Sequence, residues 1–153
     1  SADYLKLKDR QVLTVTEETG SGQEGLGRVG VLPRRMTLRE CGEFVKDAFA
    51  LPDVRIYGDP DMPVEKAAVC TGSGKSLLGD VFAKGAQVYI TGDVDYHTGI
   101  DAVAQGLAII DAGHYGTEYI FMDAMKKTLS ARYPELKISC AKIRAPYTVL
   151  CQE

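Results

Sequence analysis

The chain has 153 residues, enough for one domain with a real core, and its 45% apolar content is ordinary for a globular protein. A net charge of −3 gives no electrostatic footing for nucleic acid or an anionic membrane surface, and no apolar run approaches a membrane span. Four scattered cysteines (Cys41, Cys70, Cys140, Cys151) lack the C-x-x-C spacing of a zinc ribbon or a thioredoxin motif. Cys70 and Cys140 lie in apolar runs and read as buried thiols of a reducing compartment. The opening Ser1-Ala2-Asp3-Tyr4-Leu5-Lys6 is polar, without the apolar core of a signal peptide, so a cytoplasmic location is expected.

In chain order, residues 1–26 read as an irregular lead-in, with a brief strand at Val12, Thr14 and Thr16 before the loop-like run from Gly20 to Gly25. Gly27–Leu32 alternates as a strand does, and Pro33 is expected to end it. Thr37 followed by Glu40 is a capping box. The helix it opens carries Leu38, Cys41, Phe44, Val45, Ala48 and Phe49 on one face and closes at Pro52. Val54–Tyr57 and Val64–Cys70 are strands, separated by the turn Gly58-Asp59-Pro60-Asp61. A glycine-rich loop, Thr71–Ser76, then opens a helix over Leu77–Lys84. Gln87–Ile90 is a strand, Val94–Gln105 a helix and Leu107–Asp111 another strand. A long helix from Tyr115 to Tyr133 stops before Pro134, and Lys137–Cys140 and Tyr147–Cys151 close the chain as short strands. Alternating strands and helices from residue 54 onward predict an α/β fold of one domain over residues 27–153. Its sheet is mixed but largely parallel, flanked by helices in three layers, with antiparallel edge strands.

In such sheets ligands gather where strand C-termini meet helix N-termini. Residues 71–76, 91–97 and 111–118 have that placement, and parallel strands would open all three loops on one edge. Gly74-Lys75-Ser76 resembles the end of a phosphate-binding loop, but the glycine required five residues ahead of Gly74 is Val69. Asp93 is placed to cap the helix that follows, whose core face reads as Ile100, Val103, Ala104 and Leu107. His97 and Asp101, four apart, could pair beside that face. His97 is the candidate acid–base group, since imidazole works in either protonation state near neutrality. The alternative for this stretch is a helix cap beside a partly exposed histidine.

The most informative stretch is Asp111-Ala112-Gly113-His114-Tyr115-Gly116-Thr117-Glu118. Stepping back by fours from Met122, in the apolar stripe Met122, Met125 and Leu129, lands on Glu118 and His114. Both would then lead a face turned to the core, where an unpaired charge is costly. A divalent metal would satisfy both at once, because side chains four apart on a helix are neighbours. A carboxylate paired with Arg or Lys, beside a histidine bonded to backbone, would do so equally well.

Three runs carry a resemblance: Val69–Gly74, Gly85–His97 and Leu107–Glu118, supported by Glu24–Gly30 and the helix after Thr37. Together, in this order, they resemble the NIF-three-like family, whose members also go under GTP cyclohydrolase I type 2 homologues. The resemblance implies a dinuclear centre of zinc, manganese or iron at the mouth of an α/β core, in a homo-oligomer built as a hexameric ring. By that analogy His114 and Glu118 are metal ligands. The family's remaining ligands, a His-His pair and an Asp, belong to an N-terminal half without a counterpart here, so the chain looks like the C-terminal portion of a longer protein. Half a site would be catalytically silent by itself. The expected activity of the whole is metal-dependent hydrolysis of a phosphorylated or nucleotide-like small molecule, with His97 catalytic and Ser73, Asp93 and Tyr96 contacting substrate. The competing expectation is a metal-binding scaffold that acts through partner proteins.

Overall fold

The computed structural model describes residues 1–20, 22–142 and 148. Six strands form one sheet in the order β1-β2-β4-β5-β6-β3. They are β1 (Lys8–Thr19), β2 (Gly22–Thr37), β3 (Arg55–Tyr57), β4 (Pro63–Ser73), β5 (Val88–Gly92) and β6 (Ala108–Asp111). The centre β4-β5-β6 is parallel, whereas β1-β2, β2-β4 and β3-β6 pair antiparallel. The expected mixed sheet with antiparallel edges is the observed one.

Helices α1 (Leu38–Ala48), α2 (Leu78–Ala83), α3 (Tyr96–Ala104) and α4 (His114–Glu118) pack on the sheet, and α5 (Ile120–Arg132) follows α4 with Ile120 as its buried residue. The two-residue period of the central strands sorts their side chains between two cores. Ala67, Val69, Val88, Ile90, Ala108 and Ile110 pack with Leu38, Cys41 and Val45 of α1. Ala68, Tyr89 and Ile109 pack with Leu77, Val81, Val94 and Ala102 on the other side. These strands are buried on both faces, which is why they read as unbroken apolar runs. No helix among the described residues is long and apolar enough to cross a membrane.

The α1 cap is as expected. Thr37 Oγ1 accepts from Glu40 N, and the Glu40 carboxylate accepts from Thr37 N in return. Burial pushes the Cys41 thiol up to about 12, so it is inert at neutral pH.

Several expectations need correction. Residues 1–26 are not irregular. A turn buries Ala2, Leu5 and Leu7 in the core, and β1 and the start of β2 form a long hairpin. Its ribbon is exposed on most positions, which removes the apolar alternation that would have announced it. Gly25 is there for pairing and not for a loop, since a Cβ would lie 2.0 Å from the Thr14 carbonyl oxygen. Pro33 does not end β2. It falls where the pairing with β4 is interrupted, between Val31 and Met36, so its missing N–H leaves no ladder bond unmade.

The exposed and buried sides of α3 also differ from expectation. Thr98, Gly99 and Ala102 are buried, while Ile100 and Val103 face outward, because the Tyr57 ring occupies the surface over Gly99. The long helix expected over Tyr115–Tyr133 is two helices meeting at Tyr119, whose hydroxyl donates to the Phe49 carbonyl. Met122 and Met125 are only half-buried along α5. Cys70 is half-buried and Cys140 exposed, so Cys41 is the buried thiol among the described cysteines. Lys137–Cys140 forms no strand, and the strand expected at Tyr147–Cys151 lies outside the described residues apart from Thr148.

Candidate metal centre

The parallel arrangement of β4, β5 and β6 brings their three C-terminal ends to one edge, as the loop pattern predicts. At that edge three polar side chains form a line. His114, the first residue of α4, has Nδ1 2.7 Å from Asp93 Oδ2, and its Nε2 is 3.3 Å from Glu118 Oε2. The Asp93 hydrogen bond, with the Glu118 charge adding to it, raises the His114 pKa above its ordinary value. Neither His114 nor Glu118 points into the core as the helical stripe suggests. Their side chains are 46% and 54% exposed, and Glu118 lines a cleft of about 580 Å³ with Thr71, Thr117, Ile120 and Phe121.

Buried hydroxyls fix this edge. Thr117 Oγ1 accepts from Gly72 N at 2.8 Å and donates to the His114 carbonyl at 2.9 Å. Thr91 Oγ1 accepts from Gly74 N and donates to the Gly72 carbonyl, and the Tyr89 hydroxyl donates to the Gly74 carbonyl. The loop between β4 and α2 is thereby tied to β5 and to α4. Two glycines are required by close approach. A Cβ on Gly92 would lie 2.4 Å from Gly113 C and His114 N. A Cβ on Gly72, whose φ is +67, would lie 2.7 Å from Glu118 Oε1 and 3.2 Å from His114 Nε2.

Those distances test whether the residues suit a metal ion. Gly72 leaves open the space directly in front of one imidazole nitrogen and one carboxylate oxygen, the donor types that borderline divalent ions take. Asp93 on Nδ1 is the usual partner of a ligating histidine and leaves Nε2 as the free donor. The residues fit the group, but as an incomplete set. Among the described residues no group of three or more His, Cys, Asp or Glu is arranged to hold an ion.

The model of the Duf34/NIF3 (NGG1p interacting factor 3) family matches residues 1–146. The chain belongs to this family. A GTP cyclohydrolase 1 type 2 homolog of Bacillus subtilis is 41% identical over 114 residues, covering 74% of this chain and 30% of that protein. Its counterpart in Streptococcus pneumoniae is 41% identical over 131 residues, 83% of this chain and 48% of the relative. The chain thus spans less than half the length of either. A Bacillus cereus protein related to NIF3 superposes with a TM-score of 0.73 at 31% identity, over 84% of this chain and 36% of that one. A Staphylococcus aureus hypothetical protein, at 21% identity, shares the fold with a TM-score of 0.82, over 97% of this chain and 62% of its own.

Within this Duf34/NIF3 chain the other sequence candidates fall in different places. Asp93 is not the cap of α3, because Asp95 is. Asp95 Oδ1 accepts from Thr98 N, and its Oδ2 pairs with Lys75 Nζ at 2.8 Å. Those contacts hold the Asp95 carboxyl well below the usual carboxylate range and occupy the lysine of the phosphate-loop look-alike. Asp93 instead adopts φ +56 and serves His114. Ser73 is exposed at the end of β4, opposite Gly92 of β5. Tyr96 and His97 are exposed on the first turn of α3, ring against ring at 5.7 Å, and no hydrogen bond joins His97 to Asp101. Thr117, Gly72 and the Asp93–His114 contact escaped the sequence reading, since each depends on a partner at least 21 residues away.

Proposed function

We propose that this chain supplies one half of a dinuclear metal site in a hydrolase acting on a phosphorylated or nucleotide-like small molecule. The observation that carries the reading is the line Asp93–His114–Glu118 with the side-chain-free Gly72 in front of it. His114 Nε2 and the Glu118 carboxylate are the ligands, and zinc, manganese or iron all suit a mixed N/O set. A bound divalent ion would supply Lewis acidity and a water of lowered pKa. Asp93 keeps the proton on Nδ1 and so keeps Nε2 free. The Thr117 and Thr91 hydroxyls fix the 72–74 turn beside the donors, where glycine at position 72 leaves them room. Ser73, Tyr96 and His97, all exposed, face substrate, with His97 moving a proton to or from it.

Two donors cannot complete a four-coordinate ion, so the chain alone binds metal weakly and exchangeably and turns nothing over. The missing ligands come from the remainder of a longer, ring-forming homo-oligomer, as the short span of its relatives covered here supports. GTP ring opening is the version suggested by the names of those relatives. A scaffold acting through partners is the second reading, favoured by the interaction for which the family is named. Calorimetric titration with zinc tests the site itself. His114→Ala and Glu118→Ala should each change zinc uptake more than they change folding, and equal uptake by all three proteins would refute the ligand assignment. In the full-length protein, turnover of a phosphoester and nucleotide panel that vanishes in His114→Ala supports the hydrolase. Its absence favours the scaffold.

A further inference from the structure

We propose that Asp111 is a positioning residue that holds Asp93 and His114 in register. The inference deepens the metal-site reading and rests on it only for its consequence for metal. Asp111 ends β6, and its side chain is wholly buried, 0% exposed. A carboxylate in that position must satisfy both oxygens. Oδ1 accepts from Gly113 N at 3.0 Å, and Oδ2 accepts from Val94 N at 3.3 Å and from Arg55 Nη2 at 2.7 Å. The two backbone donors are informative. Val94 directly follows Asp93, and Gly113 directly precedes His114. One side chain therefore grips the β5–α3 loop and the β6–α4 loop at the residues next to the Asp93–His114 hydrogen bond.

Both gripped positions adjoin unusual backbone. Asp93 has φ +56, a left-handed conformation that a non-glycine residue keeps only where neighbours over-determine it, and Gly113 has φ +72, which glycine adopts without strain. Arg55 enters from β3, where it is directly opposite Asp111 in the ladder, and its guanidinium pairs with the buried carboxylate. The antiparallel edge strand β3 thus reaches the metal edge through the Arg55–Asp111 ion pair.

The test reads the His114 ring in the metal-free chain. With only two histidines, nitrogen-resolved NMR of the imidazoles is readily assigned, using His97→Gln to remove the second set of signals. At alkaline pH the wild type should show the neutral tautomer with its proton on Nδ1, protected by Asp93. Asp111→Asn should scramble the tautomers and lower zinc affinity by about ten- to a hundredfold, the usual effect of losing an outer-shell partner. Arg55→Met should act in the same direction more weakly, and it decides the question if Asp111→Asn does not fold. Val45→Ala, in the α1 core, is the control for lost stability and should leave the tautomer unchanged. A wild-type tautomer in a folded Asp111 or Arg55 variant, or equal scrambling in Val45→Ala at matched stability, would overturn the assignment. If the wild type takes up no zinc, the metal reading fails, while the tautomer result still decides the role of Asp111.

Discussion

Thr117→Val is the most direct test of how the candidate site is held. Valine has nearly the shape of threonine, so the substitution keeps the packing of a side chain that is wholly buried and removes its hydroxyl. Two hydrogen bonds go with it, from Gly72 N and to the His114 carbonyl. The His114 carbonyl begins a helix and can still accept there, whereas the Gly72 N–H is left buried without an acceptor. An orphaned buried donor costs about 1–3 kcal/mol, so the expected loss is about 2 kcal/mol. For a chain of this size that corresponds to a fall of roughly 4–8 °C in Tm. Thr117→Ser retains the hydroxyl and removes one methyl, at a cost of about 1 kcal/mol. Urea unfolding measured on both variants, with unchanged denaturant slopes, should rank valine as the more damaging. If Thr117→Ser proves equal or worse, the hydroxyl is not what ties β4 to α4 and the reasoning fails.

The two close glycines should separate stability from binding. Gly92→Ala sets a Cβ against the backbone at Gly113 and His114, which cannot swing aside, and should cost about 3 kcal/mol or more by denaturant melts. Gly72→Ala meets the tips of two half-exposed side chains, so its cost is mainly that of a left-handed alanine, about 1–2 kcal/mol. Zinc uptake by calorimetry should nevertheless be lost in Gly72→Ala, and retention of full affinity would show that the donors do not converge in front of it. The raised pKa of His114 fixes the sign of a pH effect. A group whose folded pKa lies above its unfolded value of 6.5 stabilises fully below that value and loses the contribution as pH rises through the folded pKa. The stability difference between wild type and His114→Gln, from urea melts, should therefore be largest between about pH 5 and 6.5, where the carboxylates are also ionised, and shrink toward alkaline pH. A difference that grows with pH would contradict the Asp93–His114 pairing.

The features legible in the linear chain are those whose physical cause is local. Thr37 and Glu40 cap a helix through bonds spanning three residues, and the result matches expectation. Val88–Gly92 and Ala108–Asp111 are apolar because both faces are covered, so a short apolar run was a sufficient signal. His114 and Glu118 are one helical turn apart by chain geometry alone, and the structure brings them within 3.3 Å. Glycine, by contrast, was ambiguous. Gly25 looked like loop and is a ladder position, while Gly72 looked like a turn and also makes room for two donors.

Distant partners decided the rest. Which aspartate caps α3 depended on Lys75 reaching Asp95 and on His114 taking Asp93. Which face of α3 is buried depended on the Tyr57 ring arriving over Gly99, against the helix's own pattern of Ile100 and Val103. The break at Tyr119 depended on a carbonyl of Phe49, 70 residues away. The sequence by itself thus determined the elements from α1 to β6, the alternation that makes an α/β sheet, and the His114–Glu118 pair, because propensity, periodicity and capping act within a turn or two of the chain. Only the tertiary structure decided what those residues face, since a buried hydrogen bond or a close glycine contact exists only once strands far apart in sequence lie side by side.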